Sequence, residues 1–214
     1  MARAEYHKDT DDIWLLRAYA WRLYDHVKQL VDAYEAKELS PTALNEPMTT
    51  YMREFAGMAK PLRGDSTFSQ MIRLAGKVSK DWHDFLVFAK WVGIHDFSDD
   101  DQAFFVNDQG KRIDSLKTRF IRAICRETVA RANPPQTDPG LIHWGETILE
   151  QALRDSPHDQ WLNYYQSKLH LARGEPERAI KSLAPVLARQ SGAAWTWALL
   201  GEILEGERPD DAIT

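Results

Sequence analysis

The fold class follows from a duplication near the end of the chain. The segment WLNYYQSKLHLARGEPERAI (161–180) is followed 33 residues later by AWTWALLGEILEGERPDDAI (194–213), and this register pairs Tyr164 with Trp197. Each copy predicts a helix, a tight turn and a second helix that begins near a proline. Because one such unit cannot bury its apolar face alone, the duplication indicates helical repeats stacked on one another.

The duplicated segment resembles the tetratricopeptide repeat, a helix-turn-helix unit of about 34 residues. Residues 197–201 (WALLG) are similar to the W-x-x-L-G opening of that family, and Gly174 and Ala179 follow in the family's order. Lys168 departs from the pattern, since glycine is usual at that position. The resemblance implies a short α-solenoid over residues 141–214, with protein–protein interaction as its function.

The remainder of the chain is also predicted to be helical. Apolar residues recur at intervals of three and four, which indicates an N-terminal helical domain over residues 1–131. Its first helix runs from Asp11 to about Lys37, and Pro47 predicts the start of a separate short helix. Residues 104–113 are compatible with a small β-hairpin or with an irregular loop. The predicted fold class is therefore all-α, with at most one small hairpin.

A proline-rich segment at residues 132–140 predicts a linker between two domains. It holds three prolines, which block helix continuation. The charge balance changes there as well: residues 1–131 hold 20 acidic and 20 basic residues, whereas residues 132–214 hold 12 acidic and 7 basic ones. The sequence ends where a second helix of a repeat should begin. We therefore expect an array that continues in a longer protein, or one that another chain covers, including by self-association.

Composition excludes several functional classes. The chain has 214 residues and a net charge of −5, which disfavours binding to nucleic acid by bulk positive charge. Its single cysteine, Cys125, rules out an internal disulfide framework or a thiolate zinc cluster. No apolar run approaches the ~20 residues of a membrane span, and the first residues lack the apolar core of a secretory signal. We expect a cytoplasmic protein that does not enter a membrane.

No motif in the sequence indicates catalysis. None of the seven histidines has metal-ligand spacing with another. The acidic run 99–101 lacks the glycine and glutamate of a calcium loop, and Ser98 before it is typical of a helix cap. Phosphate-loop, nucleophile-elbow and dinucleotide fingerprints are absent. We therefore expect no enzyme activity, no cofactor and no metal.

One polar feature is a candidate binding site. Arg119, Arg122 and Arg126 follow one another at intervals of three and four, which places them on one helix face. Arginine suits recognition of phosphate or carboxylate groups, so this stripe could bind nucleic acid or an acidic peptide. The alternative is a solvated face whose arginines pair with Glu127 or with acidic residues of a neighbouring helix.

The predicted function is a non-enzymatic scaffold that binds a protein partner. Its candidate anchors are three large aromatic residues, Trp144, Trp161 and Trp195. The alternative is a nucleic-acid-linked module that uses the arginine stripe. Residues 17–24 (RAYAWRLY) are similar to the start of tetratricopeptide proteins of bacterial stress-response or conflict operons, and that resemblance implies an RNA-linked stress or phage-defence role.

Overall fold

The computed structural model describes residues 12–132 and 137–205, and these ranges confirm the all-α prediction. They hold ten α-helices, one 3₁₀ turn and a two-stranded sheet. In chain order the elements are α1 Ile13–Glu35, α2 Pro41–Met58, the 3₁₀ turn Lys60–Leu62, α3 Ser66–Val78, α4 Phe85–Val92, α5 Asp99–Gln102, β1 Phe105–Val106, β2 Arg112–Ile113, α6 Leu116–Ala132, α7 Pro139–Asp155, α8 Gln160–Ala172, α9 Pro176–Arg189 and α10 Ala194–Glu205.

The described residues divide into two compact units, one up to Ala123 and one from Ile124 onward. The division falls within α6, ahead of the linker predicted at 132–140, of which residues 133–136 lie outside the described ranges. Helix α6 continues past Ala123 because its last turns pack on α7. In the second unit, a Cβ added at Gly145 of α7 would lie 2.9 Å from the Cβ of Thr128 on α6. The last turns of α6 therefore form part of the second unit.

The first unit is built on α1, which contacts both α2 and α3. The prediction of a separate short helix from Pro47 is wrong, because α2 runs through this proline without a break. Proline removes one backbone hydrogen bond from a helix. Here the buried stripe of Leu44, Met48 and Met52 continues on both sides of it, and that apolar burial offsets the lost bond.

Residues 104–113 contain the small β-hairpin that the sequence left open. Phe105 pairs with Ile113 in the antiparallel ladder, and Gly110 has a positive φ of 73° in the turn. The side chain of Asn107 closes the loop, because its Oδ1 accepts hydrogen bonds from the amides of Gln109 (3.1 Å) and Lys111 (2.8 Å). This side-chain bonding stabilises the turn and favours the hairpin over an irregular loop.

In the second unit, each of the helices α7 to α10 contacts the next one along the chain. Their buried positions repeat at a spacing of 34 residues rather than the 33 of the sequence match. The corresponding buried or half-buried pairs are Gly145 and Ala179, Leu149 and Leu183, Ala152 and Val186, Trp161 and Trp195, Leu162 and Thr196, and Leu169 and Ile203.

Tyr164 and Trp197, which the 33-residue register pairs, lie in different environments. Tyr164 is half-buried against neighbouring aromatic rings, whereas Trp197 is 53% exposed. The 33-residue match rests largely on the turn that follows each first helix, and the second copy of that turn lies in residues 206–214, outside the described ranges. Inward-facing positions, not turn composition, set the packing register of a helix.

Candidate functional site

The second unit contains a groove of about 530 Å³. Its lining comes from α6, α8 and α10, which are alternate helices along the chain. A volume of this size lies within the ~300–1,000 Å³ range of small-ligand and side-chain pockets. The groove is lined by Arg126, Val129, Ala130, Tyr164, Tyr165, Lys168, Leu171, Ala172 and Glu202.

Helical spacing explains how α8 supplies most of this lining. Five of its residues face the groove at intervals of one, three and four, so they form one stripe along the helix. A different side of α8 packs on α9, where the hydroxyl of Ser167 donates a 2.8 Å hydrogen bond to the carbonyl of Ala179. Both residues are completely buried. This contact fixes the rotation of α8 and thereby the direction of its groove-facing side chains.

The groove combines an apolar lining with charges of both signs. The rings of Tyr164 and Tyr165 meet edge to face, with centroids 5.7 Å apart. Lys168 Nζ lies 3.8 Å from Glu202 Oε2, a distance at the limit of an ion pair. Arg126 Nε donates a 2.8 Å hydrogen bond to Glu127 Oε1. Such a surface offers apolar contact area together with groups that orient a polar backbone or a charged side chain.

The three predicted tryptophan anchors do not line the groove. Trp161 and Trp195 stack on each other with centroids 5.4 Å apart and planes 15° apart. Tyr164 meets Trp195 edge to face at 5.2 Å, so these rings hold α8 and α10 together. Trp144 is half-buried on α7, which contributes no lining. Tyr165 is not among the residues predicted from the sequence, although its place on the same helical stripe as Lys168 is a signal that could have identified it.

The predicted arginine stripe is largely neutralised by carboxylates. Arg122 forms a 2.5 Å ion pair with Asp114, which precedes the same helix, and Arg126 contacts Glu127, the residue that the solvated-face alternative named. Glu127 is buried. Arg119 differs, because no carboxylate in the described ranges forms an ion pair with it. Partial burial and the nearby cation of Arg73 lower the pKa of Arg119, while Asp114 acts in the opposite direction.

The lone cysteine and the acidic run at residues 99–101 have structural roles. Cys125 is buried, and burial raises the pKa of its thiol to about 12, so the sulfur stays protonated at neutral pH. Asp101 is also buried: its amide donates a hydrogen bond to the hydroxyl of Ser98 (3.3 Å), and its carboxylate accepts one from Ser69. The cap that the sequence predicted at the acidic run is therefore confirmed. Within the described ranges, no cluster of three or more histidine, cysteine or acidic side chains has the arrangement of a metal site.

A family model described as a domain of unknown function, DUF7017, matches residues 160–214. The match begins at the first residue of α8 and includes α9 and α10. Comparison with curated proteins and with solved structures gives no match. None of the helices that the structure describes is both long enough and apolar enough to cross a bilayer.

Proposed function

We propose that this chain is a non-enzymatic helical-repeat scaffold that binds a short segment of a protein partner in the groove of its second unit. The observation that carries the proposal is the lining of the groove by alternate helices. Repeated helix pairs present the same side chain positions at each step, and this arrangement produces an extended binding surface. The tetratricopeptide resemblance and the 34-residue spacing of buried positions support the same interpretation.

The lining favours a peptide that carries one large apolar side chain. Tyr164, Tyr165 and Leu171 supply apolar area, and ordered aromatic rings lose little entropy when a partner binds. Lys168 and Glu202 lie beside these rings, where their charges can select the residues that flank the apolar side chain. The volume holds one or two side chains rather than a folded domain.

A peptide-display selection against the full chain tests this proposal. Peptides that the wild-type chain enriches should lose about tenfold or more in affinity when Tyr165 is changed to Ala, as expected for a central anchor. The variant Lys168→Glu should change which flanking charges are enriched, because it reverses the charge of the groove. The matched control is Lys181→Glu, an exposed lysine on α9 outside the groove.

Peptides that the wild-type chain enriches should bind more weakly to both groove variants and equally well to the control variant. If no peptide is enriched, or if the enriched peptides bind all three variants as well as the wild type, the groove is not a peptide site. Circular dichroism of each variant confirms that the helices persist.

A further inference from the structure

The β-hairpin of the first unit presents three consecutive large apolar side chains to solvent. Phe104 and Phe105 are each 52% exposed, and Val106 is 58% exposed. Single exposed apolar residues are common on protein surfaces, but three on one short hairpin mark a candidate interaction site. Side chains alternate along a strand, so Phe105 lies with Ile113 on one face of the hairpin, and Val106 lies with Arg112 on the other. The hairpin has two residues in each strand and buries little apolar area of its own, so these rings contribute little to folding.

Three basic side chains belong to the hairpin or contact the residues next to it. The guanidinium of Arg112 lies 4.0 Å from the centroid of the Phe104 ring, and Lys111 precedes it in the chain. Lys117 Nζ donates a 3.1 Å hydrogen bond to the neutral side chain of Gln102. None of these three cations forms an ion pair with a carboxylate of the described ranges. Residues 102–122 hold five basic and two acidic residues, in a chain whose net charge is −5.

Two further arginines lie beside this cluster. Gln102, which contacts Lys117, follows the buried Asp101, and Arg73 of α3 lies 3.5 Å from that carboxylate. Arg73 is also close enough to Arg119 to contribute to the lowering of its pKa. Cations from α3 and α6 therefore meet near the base of the hairpin. The carboxylate of Asp101 already pairs with Arg73, so Arg119 is the cation there that a bound phosphate would neutralise.

We propose that Phe104, Phe105, Arg112, Lys117 and Arg119, here termed the hairpin surface, bind single-stranded nucleic acid. Bases stack on the exposed phenylalanine rings, and the basic side chains contact the phosphates, a combination typical of strand-binding sites. The proposal concerns a different unit from the groove and does not depend on its function.

The tip of the hairpin argues against a membrane surface as the ligand. The residues at the tip, Asn107 to Gly110, are polar and include the acidic Asp108, and these would enter the bilayer first. An acidic peptide would satisfy the cations. It gives no reason for the exposed aromatic rings, whereas flat bases use both the rings and the charges.

Fluorescence anisotropy of the full chain with a labelled oligothymidylate of about 20 nucleotides tests the proposal, since strand-binding sites cover about 4–16 nucleotides. We expect binding that weakens between about 50 and about 200 mM salt. The double variant Phe104→Ala/Phe105→Ala should lose at least about fivefold in affinity, as expected for lost base stacking. Because both rings are half exposed, the fold should be retained.

A second variant separates charge from stacking. Lys117→Gln/Arg119→Gln should weaken binding. It should also reduce the steepness of the plot of log affinity against log salt concentration, by about 0.7 for each lost phosphate contact. The matched control, Arg22→Gln/Lys28→Gln, removes the same charge from exposed positions on α1 and should leave the affinity within about twofold.

Three outcomes would overturn the proposal. The first is no binding of oligothymidylate at low salt. The second is an equal loss in the control variant, which would show a bulk charge effect. The third is binding to polyglutamate, or to vesicles containing phosphatidylserine, without binding to the oligonucleotide. These results would assign the surface to an acidic protein or to a lipid surface instead.

Discussion

At the scale of single residues, Asp65 begins α3 and also joins it to α1. Its Oδ1 accepts a 2.9 Å hydrogen bond from the amide of Thr67, and its Oδ2 accepts one of 2.8 Å from Arg17 Nε. Partial burial acts to raise the pKa of Asp65, but these hydrogen bonds outweigh it and lower the pKa below its ordinary value of 3.8. The ionised carboxylate therefore stabilises the first unit.

The variant Asp65→Ala should lower the free energy of unfolding by about 1–2 kcal/mol at neutral pH, the usual cost of a lost helix cap. A carboxyl group whose pKa is lowered in the folded state contributes stability above its unfolded-state pKa. That contribution is lost as the pH falls through the folded-state value. The difference between variant and wild type should therefore shrink below about pH 4.

Urea denaturation at about pH 7 and about pH 3 measures this difference. The control is Asp108→Ala, an exposed carboxylate in the hairpin turn that should have little effect at either pH. If the loss of unfolding free energy in Asp65→Ala grew toward acid pH, the ionised carboxylate would not be the stabilising form.

At the scale of secondary-structure elements, the close approach of α6 and α7 depends on one glycine. A Cβ at Gly145 would lie 2.9 Å from the Cβ and from the Cγ2 of Thr128, and closer still to its Oγ1. Two helix backbones approach this closely only where one of them lacks a side chain. Gly145 lies 34 residues before Ala179, so the second helices of the unit use small residues at the same position.

The variant Gly145→Ala should therefore destabilise the second unit by about 1–3 kcal/mol, the usual cost of overpacking. Gly76→Ala is the matched control, because no atom lies within 4 Å of its added Cβ. There the higher helix propensity of alanine should raise stability by up to about 1 kcal/mol. Thermal unfolding followed by circular dichroism measures both variants.

The double variant Thr128→Ala/Gly145→Ala identifies the cause. It should recover part of the lost stability, because it removes the side chain that the new methyl group meets. Equal costs for the single and the double variant would mean that the clash is relieved by other movements and is not set by Thr128.

At the scale of the whole molecule, the two proposed binding surfaces lie in different compact units. The groove consists of residues from the second unit, and the hairpin surface consists of residues from the first. Their chemistries also differ: the groove pairs cations with carboxylates, whereas the hairpin surface has an excess of cations around exposed rings.

We therefore expect the two activities to separate by mutation. Tyr165→Ala should weaken peptide binding and leave oligonucleotide affinity within about twofold. Phe104→Ala/Phe105→Ala should weaken oligonucleotide binding and leave peptide affinity within about twofold. Measuring both variants against both ligands checks this expectation. If either variant abolished both activities, the effect would be on folding or on one shared site.

Local patterns in the sequence were sufficient for the all-α fold class and for the helix cap at Ser98. Apolar spacing indicates a helix because its period is a property of the backbone, and Asp65 or Ser98 caps a helix through bonds made within three residues. A sequence pattern does not decide between the hairpin and an irregular loop, because the turn depends on hydrogen bonds made by the side chain of Asn107.

Tertiary structure alone decided which residues face a groove and which cations are neutralised. Residue type makes Trp161 and Trp195 candidate binding anchors, yet they stack on each other, because two helices brought together bury their largest rings. Arg122 pairs with Asp114, which precedes α6, whereas Arg119, one turn away on α6, forms no ion pair with a carboxylate of the described ranges. Sequence spacing determines the helix face on which a side chain lies. The neighbouring element determines whether that face is buried, paired or available to a ligand.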